Sequence, residues 1–317
     1  MTTPRPPCRI YGIMARETPT AVLFRRGPSK YVQLVRWDTD NDQFEPGQWF
    51  HGRIYERRCD LSPDGRLLVY FAANWKDRSG PNSGSWTAVS RPPYLTALAL
   101  WFKGDAWSGG GLFRNNQELG LNNGGPGDHR LANDASSLPI GVSDLNLGTG
   151  EDDPVETVRE VRDGWVVVRE MEVTVPPRPS LPPPLPPPQV EEGSAETWEW
   201  LADLSNWIRE KPSDHTGYVT HAPRIIEKVS GSWRLRRAER LQGYELLRDY
   251  DVESSGVDLT GADWAEWDHR GRLVFSRAGA VFAAALEVGR APKIARLVDL
   301  NANAFSAIEA PEWAHQW

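Results

Sequence analysis

Two segments of similar design, one near each end of the chain, constrain the fold most. In the first segment, the turn Ser62–Gly65 leads into the apolar run Leu67–Phe71. Proline presets φ, aspartate hydrogen-bonds its own backbone and glycine supplies a positive φ, so this tetrapeptide favours a tight turn. The second segment, Trp267–Phe275, repeats Gly-Arg-Leu followed by apolar β-formers. Each segment predicts a turn that feeds a strand buried on both faces.

Short apolar runs separated by glycine and proline predict a mainly β chain. Its 317 residues include 28 glycines and 26 prolines, too many for a mainly helical protein. Residues 114–154, which are rich in Asn, Gly and Asp, are expected to hold little regular structure. Strands are predicted at Ala21–Phe24, Tyr31–Trp37, Leu67–Phe71, Trp86–Val89, Tyr94–Phe102, Arg224–Val229, Trp233–Leu235, Tyr244–Leu247, Leu273–Phe275, Ala280–Leu286 and Ala295–Leu300.

A hairpin is predicted in the middle of the chain. The valine-rich runs Val155–Val161 and Trp165–Val168 flank Asp163-Gly164, and Asp-Gly between two such runs is a strong hairpin signal. The sequence therefore predicts two further antiparallel strands here.

One helix is predicted, at about residues 195–211. Ser194 can cap its N-terminus, Pro212 ends it, and Trp198, Leu201 and Ile208 recur at helical spacing. An apolar face of this kind predicts that the helix packs on the body of the protein or, as the alternative, binds a partner.

The segment Asp60–Phe71 resembles the repeats of β-propellers of the WD40 and TolB-like (PD40) kind, and Trp267–Phe275 fits the same pattern. In those families such a segment forms the turn and inner strands of a blade. The resemblance covers these two segments only. It implies a ring of four-stranded sheets with a funnel at one end and, in most cases, a binding role. We therefore expect an irregular β-propeller or a propeller-like set of antiparallel sheets.

The proline-rich run at residues 176–188 marks the clearest boundary in the chain. Because proline cannot donate a hydrogen bond to a β-ladder, this run predicts polyproline II or disordered chain. We divide the chain into a β-rich part with propeller-like blades at residues 1–175 and a linker or extended loop at residues 176–193. The helix and a further β-rich part follow at residues 194–317, either as a separate body or closing the same propeller.

Composition limits the partners and the compartment. A net charge of −7 argues against nucleic acid as the main ligand. No run approaches the roughly 20 apolar residues of a membrane span, and the first residues lack the apolar core of a signal peptide. Cys8 and Cys59 form no Cys-x-x-Cys pair. These features predict a cytoplasmic protein, and the predominance of arginine over lysine is typical of a GC-rich bacterial genome.

Motifs for catalysis and cofactor binding are missing from the sequence. It contains no Gly-x-Ser-x-Gly nucleophile elbow and no Gly-Lys-Ser/Thr phosphate loop, and its 6 histidines have no metal-ligand spacing. The sequence therefore predicts a protein without a cofactor that is not an enzyme.

Asp38, Asp40 and Asp42 have the alternate spacing of calcium-loop ligands. However, Gln43 stands where such a loop needs glycine, and Trp49 stands where it needs glutamate. A solvated acidic hairpin loop is the alternative interpretation, and these two departures favour it.

Tryptophan is heavily used, at 15 positions along the chain. Large rings fill the cores of small sheets, and this is the simpler explanation of their number. As binding residues we single out those in or beside the predicted loops of the first half: Trp75, Trp86, Trp101 and Trp107.

The function predicted from these observations is non-catalytic recognition. The expected role is that of a scaffold subunit of a bacterial multiprotein system, with tryptophans at the contact with a protein partner. The alternative is a carbohydrate-binding protein or a glycan-acting enzyme whose tryptophans stack on sugar faces.

Overall fold

The structure is a computed structural model and describes residues 6–27, 30–75, 84–122, 130–131, 138–145, 147, 153–170, 224–238, 243–248 and 256–317. The described parts of residues 1–170 and 224–317 belong to one compact unit. The predicted linker at residues 176–193 and the predicted helix at about residues 195–211 lie outside the described residues.

The described strands form five sheets in a five-bladed β-propeller arrangement. The sequence predicted the propeller-like antiparallel sheets but not the number of blades. Blade 1 is fully antiparallel, with its strands in chain order. It contains β1 (Arg9–Met14), β2 (Thr20–Arg26), β3 (Tyr31–Asp38) and β4 (Gln43–His51).

Blades 2 and 3 are less regular. In blade 2 the order is β12-β9-β8-β7-β5, and β6 also pairs with β7. In blade 3 the order is β10-β11-β13, with β11 and β13 parallel. The strands are β5 (Arg53–Ile54), β6 (Asp60–Leu61), β7 (Leu68–Asn74), β8 (Gly84–Ser90), β9 (Ala97–Phe102), β10 (Gly111–Asn115), β11 (Glu118–Leu121), β12 (Arg130–Leu131) and β13 (Gly141–Asp144).

Blades 4 and 5 return to four antiparallel strands in chain order. Blade 4 contains β14 (Val166–Glu170), β15 (Arg224–Ser230), β16 (Trp233–Ala238) and β17 (Gly243–Arg248). Blade 5 contains β18 (Ala262–Trp267), β19 (Leu273–Arg277), β20 (Ala280–Ala285) and β21 (Lys293–Asp299).

The two segments that resemble propeller repeats form similar hairpins whose turns differ in length by one residue. Gly65 has φ +72° between β6 and β7, and Gly271 has φ +70° between β18 and β19. The strands that follow, β7 and β19, are buried on both faces along nearly their whole length, as predicted. The turn chemistry and the continuous apolar runs therefore specify the same local structure twice.

Apolar side chains pack mainly between neighbouring blades. One core joins blades 1 and 2 to blade 5, a second joins blades 4 and 5, and a third joins blades 2 and 3. Each blade is too small to bury its own apolar faces, so packing against the next blade supplies the burial that stabilises it.

Blade 1 meets blade 5, so the first and last described blades are neighbours. The Ser276 hydroxyl donates to the carbonyl of Ile10 at 2.7 Å, and Arg25 donates to the carbonyl of Leu300 at 3.2 Å. The C-terminal residues continue across blade 1 to blades 2 and 3, where Trp317 packs on the third core.

The predicted hairpin at residues 155–168 is wrong in its first half. Residues Asp153–Arg162 form an α-helix, α1, and only the second half forms a strand, β14. The buried positions of α1 are Val155, Glu156 and Arg159, whereas Val158 and Val161 are 40% and 57% exposed. Charged side chains occupy the inward face, so the valines that indicated a buried strand misled the prediction.

Among the described residues, no helix has the length and apolar character needed to cross a membrane.

Candidate functional site

Helix α1 lies where several blades converge, and it carries charged side chains inward. Glu156 receives hydrogen bonds from Tyr11 of blade 1, from Arg57 of blade 2 and from Arg237 of blade 4. Arg159 donates to the Tyr11 hydroxyl and to the carbonyl of Arg57. The helix is therefore held by a buried ionic network that spans three blades.

The last turn of α1 is attached to blade 2 through Arg162. Its guanidinium makes two parallel hydrogen bonds to the Asp60 carboxylate, at 2.7 and 2.9 Å. The Asp60 side chain is 1% exposed, and it also accepts from the backbone N–H of Phe113 at 2.8 Å. Such a two-bond pair fixes both the distance and the orientation of the helix end.

A cavity of about 450 Å³ lies between α1, blade 1, blade 4 and blade 5. This volume is within the range of small-molecule sites and of pockets that receive a partner's side chains. The aromatic side chains in its lining are Tyr11, Trp165, Tyr244, Trp264 and Trp267, and the charged ones are Arg16, Arg159, Glu160, Arg162, Asp163, Lys228, Glu266 and Asp268.

The cavity opens near one end of the strands. The turns at residues 15–19, 39–42, 62–67, 116–117 and 268–272 contact one another there, and we call this surface the turn face. His269, which is exposed, lies at the rim of the cavity on the turn face.

Every carboxylate in the cavity lining lies within ion-pair distance of a basic side chain. Glu266 pairs with Lys228 at 2.9 Å and also accepts from the Trp165 indole N–H at 3.1 Å. The remaining pairs are Glu160 with Arg237 at 2.5 Å, Asp163 with Arg162 at 2.8 Å and Asp268 with Arg272 at 2.7 Å. The pattern of charge in the cavity is thus set by the protein before any ligand binds.

Glu156 and Glu160 lie one helical turn apart in α1 but titrate in opposite directions. Burial raises the pKa of Glu160 to about 8, because desolvation and the nearby Glu156 charge outweigh the attraction of Arg237. Burial opposes ionisation of Glu156 too, but Arg237, Arg57 and Arg159 together lower the pKa of that carboxyl. Shifted pKa values of this kind concentrate at functional sites as well as in structural ion networks.

The four tryptophans predicted as binding residues do not come together at this cavity. Trp86 lies in β8 and packs edge-on against Phe50, and Trp101 in β9 is 5% exposed within the third core. Trp75 and Trp107 are 39% and 60% exposed. Both follow the ends of β7 and β9, so they lie at the opposite end of the blade 2 strands from the turn face.

The acidic loop is held by protein contacts. Asp38 accepts hydrogen bonds from the backbone N–H of Asp40 and from the Asn41 side chain. The Asp42 carboxylate pairs with Arg272 of blade 5 at 2.8 and 2.9 Å. Within the described ranges, no group of three or more His, Cys, Asp or Glu side chains is arranged to hold a metal ion.

Sequence reasoning did not identify the residues of this site. The network joins Tyr11, Arg57, Glu156 and Arg237, which lie far apart in the chain and belong to no motif. The signals available were those of α1 itself: Asp153-Pro154 suits a helix start and Gly164 suits a position just past a helix end.

No match to this chain was found among models of known protein families, among curated proteins or among solved structures.

Proposed function

We propose that the protein is a non-catalytic recognition subunit of a multiprotein assembly and that its turn face binds another protein. The observation that carries the proposal is the preformed cavity, in which Asp163, Glu266 and Asp268 are held in ion pairs. A fixed array of charges gives a partner orientation and specificity.

The test uses the full chain with a substitution at the cavity rim. The tagged protein and its His269→Glu variant are used to capture proteins from a native-host lysate, and each partner found is purified and titrated by calorimetry. We expect a stoichiometric partner whose affinity falls at least tenfold in the variant, because the rim then carries a new charge and a different shape.

The matched control is His315→Glu, which makes the same change at an exposed position in the C-terminal segment. This variant should keep the wild-type affinity. Equal affinity of all three proteins, or no stoichiometric partner for the wild type, contradicts the proposal.

Carbohydrate binding is a second candidate function, and the exposed Trp75 and Trp107 rings favour it. Exposed rings of this size offer apolar faces on which the faces of sugars can stack. We expect glycan-array signals and quenching of tryptophan fluorescence by oligosaccharides, both reduced by Trp107→Ala. Trp313→Ala removes a similarly exposed ring in the C-terminal segment and serves as the control. Silence of the wild type in both assays contradicts this candidate.

We further propose that the blades are related to the repeats of WD40 and TolB-like propellers. Support comes from the similar hairpins at Gly65 and Gly271, which share positive φ values and lead into buried strands. A collection of homologous sequences tests this relation: Gly-Arg-Leu or a close variant should recur at the same turn in several blades.

A further inference from the structure

Among the described residues, Arg16 is the one cation of the cavity lining that is neither held in an ion pair nor buried. It lies in the turn between β1 and β2, where one of its terminal nitrogens donates to the carbonyls of Phe113 and Arg114 at 2.9 and 3.1 Å. Within the described part of the chain, its guanidinium has no carboxylate partner, and its buried Nε has no hydrogen-bond acceptor. Arg16 is therefore a cavity cation whose charge the protein itself leaves unbalanced.

Two arginines of the cavity lining donate to the same carbonyl oxygen, that of Phe113, which lies outside the lining. Arg162 donates to the carbonyl of Phe113 at 3.2 Å, and Arg16 donates to the same oxygen at 2.9 Å. Arg162 is neutralised by Asp60 and Asp163. The neighbouring positive charge of Arg16 has no such compensation, and this favours an anion beside it.

The remaining lining charges reinforce this preference. Lys228 is compensated by Glu266, and Asp268 is compensated by Arg272. The pKa of Glu160 is raised to about 8 by burial, so this carboxyl is mainly protonated at neutral pH and does not offset Arg16. Arg159 also makes no ion pair, but it is buried in the network around Glu156. Arg16 is thus the partly exposed cation of the lining that an anionic ligand would balance.

The number of uncompensated cations limits the type of anion. A carboxylate carries one negative charge and presents two oxygens in a plane that matches a guanidinium. A phosphate monoester carries close to two charges at neutral pH and would leave one of them without a partner. Because Arg16 is the single lining arginine that is both partly exposed and without an ion pair, a carboxylate fits it better.

We propose that Arg16 binds a carboxylate of the partner protein, the side chain of an aspartate or glutamate inserted into the cavity. This inference rests on the proposed function, because it names the chemical group that the turn face recognises. The buried Trp264 and Trp267 rings in the same lining provide apolar contact for the methylene groups that precede the carboxylate. A free organic acid offers the same chemistry and is distinguished by the test.

The test measures binding of short blocked peptides to the full-length protein. Acetyl-Gly-Glu-Gly-amide and acetyl-Gly-Gln-Gly-amide differ only in the carboxylate, and saturation-transfer NMR titrations give their affinities. We expect the glutamate peptide to bind at least tenfold more tightly, with an affinity that weakens as NaCl is raised from 50 to 500 mM. Acetate and succinate, as free acids, should bind more weakly than the peptide.

Substitution of Arg16 tests the assignment. Arg16→Gln should lower the affinity for the glutamate peptide to that of the glutamine peptide. Arg16→Lys keeps the charge but not the planar fork, so it should bind with intermediate affinity. Arg66→Gln, an exposed arginine on another turn of the same face, should leave binding unchanged. Melting curves identify any variant that has lost its fold, and the glutamate–glutamine comparison on the wild type stands without the variants.

Several results of these titrations would contradict the proposal. Equal affinity for the two peptides, no binding of either, full binding by Arg16→Gln, or tighter binding of acetyl-Gly-phosphoserine-Gly-amide overturns the carboxylate assignment. Tighter binding of succinate than of the peptide overturns the partner side chain as its source. A partner captured equally well by wild type and Arg16→Gln contradicts only this inference, whereas a wild type that captures no partner contradicts the proposed function.

Discussion

The turn at residues 62–67 and the turn at residues 268–272 share a glycine of positive φ, differ in length by one residue and hold together different parts of the molecule. We call them the helix-side turn and the ring-closing turn. Gly65 and Gly271 have φ values of +72° and +70° and precede arginine and leucine in both turns. The helix-side turn follows Asp60, which binds α1 through Arg162. The ring-closing turn contributes Arg272, which binds Asp42 of blade 1.

The equivalent arginines show the divergence most directly. Arg66 is exposed on the helix-side turn, whereas the Arg272 side chain is 14% exposed between Asp42 and Asp268. A tight turn requires specific backbone angles, so its glycine recurs. The backbone of the turn does not restrict the side chains beside the glycine, so these can contact different neighbouring elements. One turn therefore stabilises a helix, whereas the other joins two blades.

Among the substitutions at the two turns, loss of Asp60 should lower the free energy of unfolding most. Asp60→Ala leaves Arg162 and the backbone N–H of Phe113 without their shared partner in a buried site. Breaking such a pair should lower the free energy of unfolding by about 3–5 kcal/mol, measured by urea denaturation. The control Asp64→Ala removes only hydrogen bonds within the turn and should cost about 1 kcal/mol. Equal stability of the two variants would show that Asp60 does not anchor the helix.

The two glycines distinguish backbone strain from steric contact. A Cβ at Gly271 would meet only the Ser230 hydroxyl at 4.0 Å, whereas a Cβ at Gly65 would lie 2.8 Å from Cβ of Thr20. Gly271→Ala should cost about 1 kcal/mol for its positive φ. Gly65→Ala should cost about 2–3 kcal/mol because overpacking adds to the same strain. Thermal and urea unfolding compare the two, and a larger loss at Gly271 would contradict this account.

The turns, unlike the site, were predictable from local sequence. Turn chemistry and a continuous apolar run act over a few neighbouring residues, so the hairpins at Gly65 and Gly271 and most of the described strands were recognised. The same local rules misassigned α1, in which Val158 and Val161 face solvent while Glu156 and Arg159 face inward. That inversion depends on Arg57 and Arg237, partners that only the folded chain brings within reach.

The binding cavity was unpredictable for the same reason. Arg16 is one of many arginines in the sequence, and only the fold gives it carbonyls as partners while leaving it partly exposed at the cavity. Trp75 and Trp107 were recognisable as tryptophans near loops, but only the strand directions place them at the end opposite the turn face.

Substitution of Arg272 or Arg66 should lower the free energy of unfolding less than loss of Asp60 does. Arg272→Ala removes hydrogen bonds to Asp42 and to the buried Asp268, and should lower the free energy of unfolding by about 2 kcal/mol. Arg66→Ala, the matched change on the helix-side turn, should alter it by less than about 0.5 kcal/mol. Limited proteolysis should also release fragments from the first and last blades sooner in Arg272→Ala. A similar loss in both variants would mean that Arg272 does not join the ring.

The smallest expected effect is a difference in how stability depends on pH. It distinguishes the helix region next to the helix-side turn from the contact made by the ring-closing turn. Burial raises the pKa of Glu160, in the helix, from 4.5 to about 8. A carboxyl whose pKa is raised on folding stabilises the protein fully below about pH 4.5 and loses that contribution as pH rises to about 8. At Asp42 burial opposes ionisation, but bonding to Arg272 outweighs it and lowers the pKa below 3.8. The Asp42 contribution is therefore complete above pH 3.8 and is lost at lower pH.

Melting temperatures measured from pH 3 to 9 should show the two windows separately. Between pH 5 and pH 8 the melting temperature of the wild type should fall relative to that of Glu160→Gln, because only the wild type must ionise a buried carboxyl. The melting temperature of the wild type should exceed that of Asp42→Asn by a constant amount over that range. This excess should shrink below about pH 4, because Asp42 then loses its charge and its attraction to Arg272. Parallel curves for wild type and Glu160→Gln would mean that Glu160 ionises normally. In that case the stability contributions of the two regions would depend on pH in the same way. The two turns would then differ only in the contacts that they make.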